Sequence, residues 1–201
     1  MKSTNALWPP PADAQAAVRL LTEFAALGRA ESKFAHSAQG AVVLNALGGN
    51  APYLADLALA EPKILMQALA HPQTVMDDLL ARLGKIPPTI SRAEISKKLR
   101  IAKRQAALTI AVADIGGAWP LTQVTLALSA LAETSLRVAF RHLLRSLHDQ
   151  ASITLPNPAE PDLKSGFVAL ALGKLGAFEL NYSSDIDLVL IYDPQSPVYP
   201  P

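Results

Sequence analysis

The stretch from residue 173 to residue 193 reads GKLGAFELNYSSDIDLVLIYD, and it decides how the fold is interpreted. Two acids, Asp185 and Asp187, stand one residue apart at the start of an aliphatic run. In a strand, residues i and i+2 project from the same face, so the two carboxylates should lie side by side while Ile186 points into the core. Two unpaired carboxylates repel each other and are costly to bury. A divalent cation relieves that repulsion, and hard oxygen ligands of this kind suit Mg²⁺.

A glycine-containing turn stands between this acid pair and an earlier apolar run at residues 167–172. Gly173 and Gly176 would let backbone N–H groups approach a phosphate closely, and Lys174 would add a positive charge. A strand, a glycine turn and an Asp-x-Asp pair on the next strand form the layout of a nucleotidyltransferase. Taken alone, however, an Asp-x-Asp pair usually marks a solvated strand end, and Lys174 fits a solvated turn equally well.

The composition limits the class of protein. Half of the 201 residues are hydrophobic but only 5% are aromatic, so alanine and leucine dominate and favour helices. The net charge of +1 gives no electrostatic reason to expect a nucleic-acid or membrane partner. The absence of cysteine excludes disulfides and thiolate metal sites. Because neither a signal peptide nor a membrane span is visible, we expect a cytoplasmic protein.

The chain divides into three parts by its pattern of prolines and apolar residues. Residues 1–155 read as packed helices, 156–165 as a proline-rich linker, and 166–201 as an incomplete nucleotidyltransferase core. We expect strands near 167–172 and 186–192, adjacent in one sheet and buried on both faces. Prolines after residue 193 exclude a further regular element. The predicted fold class is therefore α+β, with a mostly helical region followed by the start of an α/β domain.

Several helix boundaries have specific signals. Asn50 is predicted to cap a short helix, and Ser91 with Glu94 forms the capping-box pattern at the start of a long one. Pro120 lies near the first turn of a second long helix. The basic run at residues 97–104 is interpreted as a solvated helix face, with a patch for an acidic partner as the alternative.

Residues 173–193 resemble the signature of the glutamine synthetase adenylyltransferase/adenylyl-removing enzyme, which runs Gly-Lys-Leu-Gly-Gly-x-Glu-Leu-Asn-Tyr-Ser-Ser-Asp-Ile-Asp-Leu. The helical segments GGNAPYLADLALAEPKIL and Leu99–Asp114 resemble the same family. Two positions depart from the pattern. Ala177 replaces the second glycine of the pair, and Phe178 stands where a basic or polar residue is usual. An alanine Cβ is expected to crowd a turn that needs positive φ, which affects the phosphate site rather than the metal site.

The resemblance implies a long enzyme with two nucleotidyltransferase domains of the polymerase-β-like fold. The N-terminal copy removes AMP from a tyrosine of glutamine synthetase with inorganic phosphate and releases ADP, whereas the C-terminal copy attaches AMP from ATP. The signalling protein PII and glutamine set the direction. This chain resembles the N-terminal copy.

The resemblance also assigns roles to individual residues. Asp185 and Asp187 would be the catalytic metal ligands for Mg²⁺. The residues implied at the nucleotide (ATP or ADP) and phosphate are Gly173, Lys174, Gly176 and Ser184, although we favour turn capping for Ser184. A third carboxylate would belong to a strand after residue 201, so we expect the chain on its own to be inactive.

Two other functions compete with this interpretation. The first is another nucleotidyltransferase, such as a PII uridylyltransferase or an antibiotic-modifying enzyme, but those place the glycine turn near the N-terminus. The second is a non-catalytic helical binding module that carries a vestigial nucleotidyltransferase fold.

Overall fold

The computed structural model describes residues 8–200, in which helices dominate and two strands form one small antiparallel sheet. This arrangement confirms the α+β class. The elements, in chain order, are α1 (Ala14–Ala26), α2 (Arg29–Ala35), α3 (Ala38–Asn50), α4 (Pro52–Ala60), α5 (Pro62–Ala70), α6 (Pro72–Gly84), α7 (Arg92–Ile115), α8 (Leu121–Asp149), β1 (Phe167–Ala171), α9 (Gly173–Gly176) and β2 (Leu188–Tyr192).

The chain forms two compact units, and α6 and α7 each contribute to both. One unit comprises the residues up to Met76 together with Arg104–Leu121, and the other comprises Asp77–Lys103 together with the residues from Thr122 onward. The first unit has a mostly aliphatic core that includes Phe24 at 0% exposure. The second unit contains α8 from Thr122 onward, the sheet, and all six residues for which the sequence implies a phosphate or metal role.

Local capping and proline positions explain where the helices begin. The Asp13 carboxylate accepts the Ala16 N–H at 2.9 Å at the start of α1. Prolines open α4, α5 and α6, where the first-turn N–H has no intrahelical partner to lose. At α7 the capping box is confirmed, because the Ser91 hydroxyl accepts the Glu94 N–H at 3.3 Å and the Glu94 carboxylate accepts the Ser91 N–H at 3.1 Å.

The predicted cap at Asn50 is wrong. Asn50 is the last residue of α3, and its amide group donates to the carbonyl oxygens of Ala46 and Pro10 at 2.9 and 3.1 Å. Ala51 instead precedes α4, in a non-helical conformation with φ −142° and ψ 83°. The proline that follows disfavours the helical conformation at Ala51, so the boundary falls there and the Asn50 side chain ties α3 to the segment before α1.

The two strands pair as expected, in antiparallel register with Phe167 opposite Tyr192 and Ala171 opposite Leu188. At Phe167 one face of the sheet packs toward α8, where the ring centroids of Phe167 and Phe140 lie 5.2 Å apart, whereas Leu190 and Tyr192 on the same face are 56% and 59% exposed. The expectation that both faces are buried is wrong for this chain. The opposite face, here called the outer face, consists of Val168, Leu170, Val189 and Ile191, which are 41–47% exposed.

The residues after β2 form turns rather than a regular element, in agreement with their proline content. They fold back beneath the sheet, where Val198 is 1% exposed and packs with Leu144, Ile153 and Leu155. The Val198 carbonyl accepts the Thr154 N–H at 2.8 Å. Between residues 8 and 200, no helix combines the length and apolar content needed to cross a membrane.

Candidate functional site

The two acids lie at the entrance to β2 rather than within it. Asp185 and Asp187 are both exposed, and the strand begins at Leu188. The Asp187 carbonyl nevertheless accepts the Leu172 N–H at 2.9 Å, which extends the ladder by one pair and fixes Asp187 against the end of β1. The expectation that Ile186 points into the core is wrong, because Ile186 is 39% exposed in the irregular segment before the strand.

The glycine turn and the acid pair come together at Gly173. This glycine has φ +54°, and a Cβ placed on it would lie 3.7 Å from Oδ2 of Asp187. The positive φ is a conformation that residues with side chains adopt only with strain. The sequence therefore needs glycine at residue 173 to make the turn, and the turn brings its backbone beside the Asp187 carboxylate.

The donor set at this place suits a hard cation. Neither the Asp185 nor the Asp187 side chain has a hydrogen-bond or ion-pair partner within the described part of the chain, so their oxygens face solvent. Mg²⁺ commonly uses one or two protein carboxylates and completes its shell with water and phosphate oxygens. Within residues 8–200 no group of three or more His, Cys, Asp or Glu side chains is placed to hold a metal ion. Carboxylate oxygens are the donors that Mg²⁺ prefers, and the assignment of this pair as its ligands stays a prediction.

Gly176 is explained by packing. A Cβ at this position would lie 2.5 Å from the Ala171 carbonyl oxygen, so any larger residue would push α9 away from β1. Its N–H donates to the Leu172 carbonyl at 3.1 Å. Lys174 is exposed beside it, and its carbonyl accepts the Glu179 N–H at 2.8 Å. The phosphate contacts implied for Lys174 and Gly176 stay predictions.

The expected crowding at Ala177 is wrong. Ala177 has φ −86° and ψ −2°, an ordinary right-handed conformation, because it ends α9 and donates its N–H to the Gly173 carbonyl. The left-handed residue comes one position later, at Phe178, with φ 58°. A left-handed residue directly after the end of a helix is common, and glycine is the usual choice there. The departure that strains this turn is therefore Phe178.

A second turn, from Asn181 to Ser184, leads into the acid pair. The Ser184 hydroxyl bonds to the Asn181 side-chain oxygen, and the Ser184 N–H donates to the Asn181 carbonyl at 3.3 Å. In this arrangement Ser184 closes the turn, which is the role favoured for it above. Ser183 adopts φ 59° within the turn.

Helix α8 holds this otherwise exposed loop through one buried hydroxyl. Ser129 is 0% exposed, and its oxygen accepts the Leu180 N–H at 3.2 Å. Leu175 and Leu180 are buried at 4% and 7% exposure. Sequence analysis missed Ser129, although a lone serine inside the apolar stretch ALSALAE was the available signal.

Three arginines on α8 fasten the proline-rich segment at residues 156–165, which sequence analysis treated only as a linker. Nε of Arg137 and Nε of Arg141 lie 2.9 and 3.2 Å from the two oxygens of Asp162. Arg145 donates to the Pro158 carbonyl at 3.0 Å. The segment leading into β1 is consequently held along the helix.

A mostly apolar cavity of about 410 Å³ lies between α8 and the sheet. Phe140, Phe167, Ala169 and Phe178 contribute to its walls, while Asp185 and Asp187 do not. The lining is mostly apolar, with Glu133, Arg137, Asp162 and Ser165 as its polar members, and it excludes the acid pair.

The basic run on α7 is only partly a solvated face. Lys97, Lys98 and Lys103 are exposed. Arg104 instead donates through Nε to the Glu61 carboxylate at 2.9 Å. A partner for the exposed lysines stays a prediction.

Comparison with known proteins adds independent information. The family model described as "Glutamate-ammonia ligase adenylyltransferase" matches residues 42–199. A protein of Rhodopseudomonas palustris (strain HaA2), named bifunctional glutamine synthetase adenylyltransferase/adenylyl-removing enzyme, is 43% identical over 162 residues, covering 80% of this chain and 16% of the relative. Proteins of the same name from Bradyrhizobium sp. (strain ORS 278) and Mesorhizobium japonicum are 44% and 36% identical, covering 73% and 96% of this chain and 15% and 20% of each relative.

The chain thus spans 15–20% of the length of these relatives. No solved structure matches it.

Proposed function

This chain belongs to the glutamate-ammonia ligase adenylyltransferase family, and from that membership we propose that it is part of an enzyme regulating glutamine synthetase by reversible adenylylation. The names of the relatives combine an AMP-attaching and an AMP-removing activity. We assign this chain to the AMP-removing half, on the likeness of residues 173–188 to the signature of the N-terminal copy.

One observation carries the proposal. The Asp-x-Asp pair is placed at the entrance to β2 with the Asp187 carboxylate beside the backbone of Gly173, where φ is +54°. In this geometry an acid ligand and a turn able to admit a phosphate group adjoin each other. We therefore treat β1, the glycine turn and β2 as the beginning of a nucleotidyltransferase sheet of the polymerase-β type.

The reaction we propose is phosphorolysis of adenylyl-tyrosine. An oxygen of inorganic phosphate forms a bond to the α-phosphorus of the AMP group, and the bond from that phosphorus to the tyrosine oxygen breaks. The phenolate takes up a proton, and the products are ADP and the free tyrosine. Negative charge develops on the phosphoryl oxygens, so positioning and charge neutralisation supply most of the catalysis.

Asp185 and Asp187 would hold the Mg²⁺ that the reaction needs, and this ion would supply the neutralising charge when bound. Lys174, exposed on α9, would add a positive charge near the phosphate. Glutamine synthetase is the proposed protein substrate, and PII is the proposed regulator of the longer enzyme. The proposed compartment is the cytoplasm.

The test uses a longer polypeptide that carries this sequence, incubated with adenylylated glutamine synthetase, Mg²⁺ and ³²P-labelled inorganic phosphate. Phosphorolysis places the label in the β-phosphate of ADP. Release of unlabelled AMP would mean hydrolysis and would overturn the proposed reaction. The 201-residue chain assayed alone is expected to release no ADP, because two carboxylates are fewer than a two-metal displacement uses.

A further inference from the structure

Helix α8 carries a polar group whose place in the fold points to the candidate site. Ser129 is completely buried within an apolar stretch of the helix. A buried hydroxyl without a partner is costly, so such a group is normally satisfied by a specific hydrogen bond. Here the oxygen of Ser129 accepts the N–H of Leu180, 51 residues away in the chain.

The loop between α9 and β2, residues 177–187, is here called the signature loop, and it is anchored at Leu180. Between α9 and β2 the residues are mostly exposed, and Leu180 is the one buried residue of that interval in the described chain. A loop with so few buried contacts depends strongly on each one it has. The anchor stands between the glycine turn and the Asn181–Ser184 turn, five residues before Asp185.

We propose that Ser129 is a positioning residue for the Asp-x-Asp pair, acting through its hydrogen bond to the Leu180 backbone. The role rests on the proposed function, because only a working site gives the placement of the acids a consequence. With the bond made, the loop is docked on α8, and Asp187 meets Leu172 and Gly173 in the geometry described above. Without it, the loop detaches more often and the Asp187 carboxylate separates from the glycine turn.

The reporter for this effect is the Leu172 amide, because its N–H donates to the Asp187 carbonyl at 2.9 Å. The hydrogen bond between Ser129 and Leu180 involves neither Leu172 nor Asp187. The Leu172 amide therefore reports the position of the loop and not the loss of that hydrogen bond itself. A single hydrogen bond contributes about a factor of five to an equilibrium, so amide exchange at Leu172 should accelerate about fivefold in Ser129→Ala.

The matched control is Thr109→Val. Thr109 is also 0% exposed, and its hydroxyl donates to the Gln105 carbonyl at 2.8 Å within α7, away from the signature loop. The Thr109→Val substitution therefore removes a buried hydroxyl that has no hydrogen bond to the signature loop. Should Ser129→Ala fail to fold, Ser129→Cys keeps the shape of serine in a slightly larger side chain with a poorer acceptor.

The experiment measures residue-resolved amide exchange and Mn²⁺ affinity on the full chain and its variants. Ser129→Ala should speed exchange at Leu172 and weaken Mn²⁺ binding, whereas Thr109→Val should change neither. Equal effects from the two variants, or unchanged Leu172 exchange in Ser129→Ala, would overturn the positioning role. Asp187→Asn should abolish Mn²⁺ binding. If it does not, the metal site of the proposed function is wrong, and the exchange comparison still decides the role of Ser129.

Discussion

Replacing Gly176 with alanine tests how closely α9 is seated on the sheet. The new Cβ would lie 2.5 Å from the Ala171 carbonyl oxygen and 3.1 Å from its carbonyl carbon. Both atoms belong to the backbone of β1, which cannot rotate out of the way as a flexible side chain can. Ordinary contact begins near 3.4 Å, so the turn and the strand must separate, and overpacking of this kind costs about 1–3 kcal/mol.

Two other glycines provide controls with different physical causes. At Gly173 the new Cβ meets only Asp187 Oδ2, at 3.7 Å, but φ is +54°, so Gly173→Ala should lose about 1–2 kcal/mol from backbone strain alone. At Gly84, the last residue of α6, a Cβ would meet nothing within 4 Å. Gly84→Ala should therefore leave the sheet unaffected.

The assay is amide hydrogen exchange of β1 and β2, which gives the opening free energy of the sheet directly. We expect Gly176→Ala to lower that free energy most, Gly173→Ala to lower it less, and Gly84→Ala to leave it unchanged. A Gly176→Ala variant whose strands exchange as slowly as those of the parent chain would refute the close approach of α9 to β1.

Four further predictions follow from separate contacts. Asp162→Asn should weaken the binding of residues 156–165 to Arg137 and Arg141 by about 1 kcal/mol, seen as faster proteolysis of that segment. Because salt screens ion pairs, the difference in proteolysis rate between the variant and the parent chain should be smaller in 1 M salt. Hydrogen bonds from Ser91 hold the pKa of Glu94 below 4.5. The stabilisation of the folded chain by ionised Glu94 is therefore present above pH 4.5 and is lost as the pH falls through the lowered pKa. Carboxyl NMR titration should show the pKa of Glu94 rising in Ser91→Ala. Burial and the charge of Asp193 raise the pKa of Tyr199 above 10. The contribution of neutral Tyr199 to the stability of the folded chain is therefore complete below pH 10 and is lost as the pH rises through the raised pKa. The alkaline absorbance step assigned to Tyr199 should be missing in Tyr199→Phe. Because the outer face exposes four large aliphatic side chains, we expect the chain to associate as its concentration rises, and Ile191→Lys on that face should reduce the association measured by light scattering. Unchanged association in Ile191→Lys would exclude the outer face as its cause.

The sequence predicted features that depend on local chemistry. The Ser91–Glu94 cap needs only residues three apart, and the two strands needed only their apolar composition and flanking turns. Adjacency of the strands followed because they are short and near each other in sequence. Long helices between glycine and proline punctuation were equally accessible.

The features that sequence analysis missed depend on tertiary contacts. Asn50 has the residue type of a helix cap, but its side-chain amide donates to the carbonyl oxygens of Pro10 and Ala46, and the residue is the last one of α3. In the sequence Ser129 is only a serine on an apolar helix face, because its hydrogen-bond partner Leu180 lies 51 residues away in the chain. The strain of the signature turn falls on Phe178 rather than Ala177 because α9 extends by one capping residue, which periodicity cannot resolve.

The measurement that most directly tests the central claim compares AMP removal with AMP attachment in a longer polypeptide carrying this sequence. Asp185→Asn and Asp187→Asn each remove an anionic oxygen that Mg²⁺ prefers, and the control Asp56→Asn makes the same charge change at an exposed position of α4. We predict that both site variants lose removal of AMP from glutamine synthetase and retain attachment of AMP from ATP, while Asp56→Asn retains both. Unimpaired AMP removal by Asp187→Asn would contradict the account.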